Sequence, residues 1–157
     1  MKYLITGITG FAGPHLANLL HEEGHEVYGL VRCSNGREND IRDVVNDEVY
    51  NSINFLYGDL TNHRVLNNIF KQYEFDGVFH LAAQSYPQTS FSSPINTYDT
   101  NINGTQNLLE ALRSYPNIDP WIHICSSSEI FGRVQKEKIP IDEECSFHPA
   151  SPYAISK

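Results

Sequence analysis

The chain has 157 residues, of which 40% are hydrophobic and 19% charged, with a formal net charge of −8. A chain this long can bury a real core, no apolar run reaches the ~18 residues of a membrane span, and the acidic balance argues against nucleic acid as a partner. Cys33, Cys125 and Cys145 are odd in number, far apart and without C-x-x-C spacing, which argues against a disulfide framework or a zinc site and fits a reducing cytoplasm.

The chain opens on KYLITGITGFAG at Lys2–Gly13, an apolar run broken by Gly7, Gly10 and Gly13. A strand at Tyr3–Thr6 with no charged and apolar leader ahead of it gives no sign of a secretory signal, so a cytoplasmic location is expected. The glycine-rich turn leads into a helical pattern at Ala12–Glu23, the arrangement that holds a dinucleotide pyrophosphate. Gly7 permits the sharp turn, Gly10 the approach of phosphates to the backbone, and Gly13 the close packing of helix on strand. The G-x-x-G-x-x-G spacing departs from the G-x-G-x-x-G dehydrogenase fingerprint. In the helix, Leu16, Leu19 and Leu20 lie at helical spacing, and Gly24 is a natural stop.

Further strands are predicted at Glu26–Val31, Ile53–Tyr57, Gly77–Leu81 and Trp121–Ser126, short and apolar as strands covered on both faces should be. Helices are predicted at Arg64–Tyr73, with Thr61 and Asn62 as cap candidates, and at Pro94–Tyr115, with Leu108, Leu109 and Leu112 on one face. The polar stretch Arg32–Asn51 reads as a loop or short helix near the cofactor. Repeated β-α-β units with right-handed crossovers give an α/β, doubly wound parallel sheet of Rossmann type. A last helix begins at Ser151–Lys157, and the pattern reads as truncated before the final strands and the substrate domain. The expected organisation is one incomplete dinucleotide-binding domain over 1–157, inactive by itself.

SPYAISK puts Tyr153 and Lys157 four apart, on one face of a helix. A phenol is a poor base at neutral pH, and a neighbouring ammonium favours its phenolate form. Ser126, Ser127, Ser128 and Glu129 sit at the carboxyl end of the fifth strand, where open α/β sheets bind ligands. A hydroxyl there can meet a substrate hydroxyl or a developing oxyanion, and Glu129 can be a general acid/base or simply a solvated loop carboxylate. The second strand ends GLVRCSN, with Arg32 and no carboxylate to bind ribose hydroxyls. An arginine there suits a 2′-phosphate, which favours NADP over NAD, although a surface arginine has the same sequence.

TGITGFAG, the GDL at Gly58–Leu60, HLAAQS at His80–Ser85, SSSEIFG and YAISK occur in order along the chain. Together they resemble the extended short-chain dehydrogenase/reductases that act on nucleotide sugars. YGDL, HLAAQSY with SFSSP, NGTQNLLEALR and SEIFGRVQ resemble the GDP-mannose 4,6-dehydratase branch in particular. The resemblance implies that Gly7, Gly10 and Gly13 line the pyrophosphate, with Thr9, Phe11 and Ala12 among the cofactor-binding residues, and that Asp59 and Leu60 meet the adenine; Arg32 joins the cofactor-binding residues through its fit to a 2′-phosphate. It places Leu81, Ala82, Ala83 and Ser85 along the cofactor, with Ser85 also near the sugar. Tyr153 and Lys157 become the catalytic pair, with Lys157 also on the nicotinamide ribose, and Ser127 and Glu129 act on the substrate. Ser127 stands where the dehydratases usually carry threonine, and Glu129 matches their glutamate.

The activity implied is an NADP-dependent 4,6-dehydration of a GDP-linked hexose such as GDP-mannose. A 4-keto reductase or epimerase of the same superfamily, or a non-catalytic dinucleotide-binding fragment, is the alternative. No metal, nucleic acid or membrane partner is implied. A homo-oligomer is, through helices in Pro94–Tyr115 and the one starting at Tyr153. Two other patterns carry less. His21–His25 satisfies H-E-x-x-H, but Gly24 interrupts the single helix that a zinc site needs. The sequon at Asn103–Thr105 requires a secretory route.

Overall fold

The computed structural model describes residues 1–32, 37–115 and 119–157. Its elements in chain order begin with β1 (Lys2–Thr6), α1 (Ala12–Glu22), β2 (Glu26–Val31), a 3₁₀ segment (Arg37–Asp43), α2 (Asp47–Ser52), β3 (Asn54–Tyr57), α3 (His63–Gln72) and β4 (Gly77–His80). They continue with α4 (Pro87–Ser92), α5 (Pro94–Tyr98), a π-helical turn (Asp99–Asn103), α6 (Gly104–Arg113), β5 (Trp121–Ile124), two 3₁₀ turns and α7 (Pro152–Ile155). The chain divides into two compact units: Met1–Ala82 with Asn103–Cys125, and Ala83–Ile102 with Ser126–Lys157.

The first unit holds the parallel sheet, in the order β3-β2-β1-β4-β5 among the described residues. Alternation along the strands sorts its two cores, because successive side chains leave a strand on opposite faces. Leu4, Tyr28, Leu30 and Val78 face one way, onto Leu66, Ile69 and Phe70 of α3 and Leu108 and Leu112 of α6. Tyr3, Ile5, Val27 and Val31 face the other way, onto Ala17 and Leu20 of α1, Ile41, and Val49 of α2. Each such buried side chain contributes roughly 1.5–3 kcal/mol. This is the doubly wound sheet that the alternating pattern predicts.

Local signals account for the helix ends. The Asn62 side chain accepts from the Val65 amide and caps α3, whereas Thr61 does not. After α1, Gly24 takes φ +75°, with its amide on the His21 carbonyl and that of His25 on the Leu20 carbonyl. That crossed pair is the Schellman ending, and it needs a left-handed residue. Leu19 and Leu109 remain exposed beside the buried Leu20 and Leu108.

One helical expectation requires correction, and one helix was not expected. Pro94–Tyr115 is not one α-helix, because the π turn at Asp99–Asn103 separates α5 from α6 and turns Asn101 inward, where it is 5% exposed. Pro87–Ser92 forms a helix that PQTSFS does not announce, started by proline at its first position. The Arg32–Asn51 stretch contains the 3₁₀ segment and α2; Cys33, like the rest of 33–36, lies outside the described residues. In the second unit α4 and α5 pack against α7. Among the described residues, no helix is long and apolar enough to cross a membrane.

Candidate functional site

Within the sheet unit, β1 is flanked by β2 on one side and β4 on the other. The crevice outside the carboxyl ends of such central strands is where open α/β sheets hold ligands. Gly7 follows β1 at φ +77°, and a Cβ there would lie 2.7 Å from the Ala82 nitrogen, so the backbones after β1 and β4 touch. The Gly10 amide closes the turn on the Gly7 carbonyl at 2.9 Å. At Gly13 a Cβ would stand 2.5 Å from the Ile8 Cα, the close helix–strand approach expected of that glycine.

Gly10 differs from the other two. A Cβ there would meet only the Gly7 carbonyl oxygen among the described residues, at 3.1 Å, so its outer side is open. Helix α1 has no side-chain cap at Phe11 and no acidic residue in its first turn. Its leading amides and the positive end of its dipole are therefore available to an anion. These features fit a dinucleotide pyrophosphate. Thr9 is half-buried, and Phe11 and Ala12 are exposed on the same turn.

The neighbouring turn is held by polar residues that sequence reasoning did not single out. The Ala82 amide donates to Thr6 Oγ1 at 3.2 Å, Thr6 Oγ1 lies 2.7 Å from His80 Nδ1, and His80 Nε2 lies 2.8 Å from Thr105 Oγ1. Thr6 and His80 are buried, so the chain fixes the ends of β1 and β4 without solvent. Polar residues closing two apolar strands were the available signal. Leu81 and Ala82 pack half-buried on the two cores.

Asp59 Oδ1 accepts from both the amide and the hydroxyl of Thr61, at 2.9 and 2.8 Å. The Leu60 side chain lies in the core, and its carbonyl accepts from Asn107 Nδ2 at 2.9 Å. A ligand contact at Leu60 therefore falls to backbone. Arg32 follows β2 directly and is exposed.

In the second unit, Ser127 caps a 3₁₀ turn at Ser128–Phe131, its Oγ accepting from the Glu129 amide at 3.2 Å. Ser151 caps α7, with Oγ accepting from the Ala154 amide at 3.0 Å and donating to Glu129 Oε2 at 3.3 Å. The Glu129 loop is thereby joined to the helix of Tyr153, which is itself buried. The helix ends at Ile155, and the Lys157 amide turns back to the Ala154 carbonyl. The Ser126 hydroxyl donates to the Lys157 carbonyl at 3.3 Å.

Asn101, another residue missed from sequence, pairs with the backbone of Gln84 on both sides. Its Oδ1 accepts from the Gln84 amide at 2.7 Å, and its Nδ2 donates to the Gln84 carbonyl at 3.1 Å and to Ser156 Oγ at 2.8 Å. This fixes the segment of half-buried Ala83 and exposed Ser85. Its signal is buried in a π turn that apolar periodicity does not reveal. The H-E-x-x-H residues part as expected: His21 Nδ1 meets Ser52 Oγ at 2.9 Å, and the His25 ring packs edge-on to Tyr3.

The family model described as GDP-mannose 4,6 dehydratase matches residues 4–157. The GDP-mannose 4,6-dehydratase of Vibrio cholerae serotype O1 is 40% identical over 158 residues, which is 98% of this chain and 42% of that protein. GDP-mannose 4,6 dehydratase 1 of Arabidopsis thaliana is 39% identical over 162 residues, 98% of this chain and 44% of its own length. The chain thus spans less than half the length of these curated relatives. Among solved structures, the UDP-glucose 4-epimerase of Thermus thermophilus in complex with NAD superposes with a TM-score of 0.84 and 29% identity. It is covered over 47% of its chain, and this chain over 100%. The UDP-glucose 4-epimerase of Thermotoga maritima with UDP-glucose gives 0.84 and 30%, covering 100% of this chain and 48% of that one.

Proposed function

The chain belongs to the GDP-mannose 4,6-dehydratase family, and from that membership we propose that it supplies the NADP-binding and proton-handling part of a nucleotide-sugar 4,6-dehydratase acting on a GDP-linked hexose such as GDP-mannose. The observation that carries the dehydratase reading is the Glu129 carboxylate, joined through Ser151 to the helix of Tyr153. A dehydration needs two proton-transfer groups, one for the C4 hydroxyl and one for C5.

The residues then take these roles. The Gly7–Gly13 turn and the start of α1 hold the pyrophosphate, Asp59 and Leu60 border the adenine, and Arg32 pairs with a 2′-phosphate, which makes NADP the preferred dinucleotide. NADP⁺ held there would supply the hydride acceptor for C4 and, once reduced, the hydride donor for C6, so no external oxidant is needed. Tyr153, supported by Lys157, takes the C4 hydroxyl proton, and Ser127 hydrogen-bonds the oxygen as it becomes a ketone. The ketone acidifies C5–H. Glu129 takes that proton and hands it to the C6 hydroxyl, which leaves as water as the C5–C6 double bond forms, and a solvent proton delivered by Glu129 returns to C5 when hydride reaches C6.

Assembly into a homo-oligomer and a cytoplasmic setting belong to the same proposal. Exposed Phe91 and Ile95, at 60% and 80% of full exposure, support the former. The second reading, an epimerase or 4-keto reductase, is favoured by the likeness to the two epimerase structures. Full-length protein incubated with GDP-mannose and NADP⁺ in deuterated water separates the readings. The dehydratase gives a 4-keto-6-deoxy product carrying solvent deuterium at C5, and Glu129→Gln removes that label. A C4 epimer of unchanged mass, or turnover only with added NADPH, defeats the proposal.

A further inference from the structure

Ser151 links the Glu129 loop to the Tyr153 helix, and no part in the reaction itself has been given to it. It is 7% exposed. Its Oγ accepts from the Ala154 amide, so its own proton is free to be donated, and the oxygen 3.3 Å away is Glu129 Oε2. The segment just before it is fastened to the same loop. The His148 amide donates to the Ile130 carbonyl at 2.9 Å, and the Phe147 ring meets Phe131 edge-on. At Gly132, φ +60°, a Cβ would fall 2.0 Å from the His148 carbonyl oxygen, so the two backbones are as close as glycine allows.

We infer that Ser151 is a positioning residue for the proton transfer at C5: one hydroxyl sets the start of the Tyr153 helix and holds the Glu129 carboxylate in register with it. This rests on the dehydratase reading of Glu129. A capping oxygen needs only to accept, whereas holding a carboxylate needs a proton to donate, so two side chains separate the roles. Threonine both accepts and donates. Aspartate caps a helix as well as serine does but has no proton for Glu129.

The test uses full-length protein with GDP-mannose and NADP⁺, following reduction of the nicotinamide by its absorbance and exchange at C5 by deuterium incorporation. Ser151→Thr is expected to keep both steps within about twofold of wild type. Ser151→Asp is expected to keep the unfolding midpoint and the nicotinamide step, while slowing C5 exchange roughly tenfold, the scale of one lost hydrogen bond to a charged group. Equal slowing of both steps by Ser151→Asp, or no slowing of either, overturns the inference while leaving Glu129 in place. If wild type itself shows no C5 exchange, the dehydratase reading falls and the role of Ser151 falls with it.

Discussion

Tyr28 donates its hydroxyl to Glu26 Oε1 at 2.6 Å from a ring packed between Tyr73 and Phe75. The bond to the carboxylate, with burial and that same negative charge behind it, pushes the Tyr28 phenol up to about 12. The folded chain therefore keeps a proton that the unfolded chain releases from its ordinary value of 10.0 upward. Stability from this pair is complete below pH 10 and is lost as pH rises towards about 12, because over that interval the native state binds more protons than the unfolded one. Tyr28→Phe should cost about 1 kcal/mol at neutral pH, through the lost hydrogen bond. Its unfolding free energy, measured in urea from pH 8 to pH 12, should converge on that of wild type at the alkaline end; a constant gap would refute the linkage.

Two glycines at nearly the same backbone angle show how an element's surroundings decide what a residue does. Gly24, φ +75°, ends α1 with nothing within 4 Å of where a Cβ would be, while Gly7, φ +77°, has the Ala82 backbone at 2.7 Å. Gly24→Ala should therefore cost only the left-handed penalty, about 1–2 kcal/mol. Gly7→Ala adds a backbone collision that no rotamer relieves and should exceed about 3 kcal/mol. Urea midpoints of the two variants test this, and equal losses would contradict it. Both glycines were visible in the sequence as punctuation, since turn residues and helix stops act locally. The alternation of apolar strands with capped helices was visible for the same reason, as was the positioning of Glu129 after β5. The π turn at Asp99–Asn103 was not, because its inward residue is the polar Asn101, which apolar periodicity passes over. Of the Thr6–His80–Thr105 chain the sequence offered only two polar residues closing apolar strands, since it joins residues 74 and 25 apart and the meeting of Thr6 with His80 depends on the pairing of β1 with β4.

Over the whole molecule, burial is distributed unevenly. Both apolar cores belong to the unit with the sheet. The second unit buries the polar side chains of Ser90, Thr97, Asn101 and Ser151, which hydrogen-bond within it. Between Phe131 and Ala150 no residue is buried. Local opening is easiest where few apolar contacts would be lost, so protection should follow this division. In a 157-residue polypeptide, amides of β1 and β4, each bonded to strands on both sides, should exchange hydrogen only on global unfolding. Amides of 132–147 should exchange orders of magnitude faster, slowed by no more than isolated turn bonds such as those at Gly132, Lys138, Ile139 and Cys145. The His148 amide, bonded to the Ile130 carbonyl at 2.9 Å, borders that stretch and should be measurably slower than its neighbours. Because this bond fastens the Glu129 loop to the segment that ends at Ser151, its exchange rate reports directly on whether the loop is held. A His148 amide as fast as those around it would mean that the loop and the Tyr153 helix move independently.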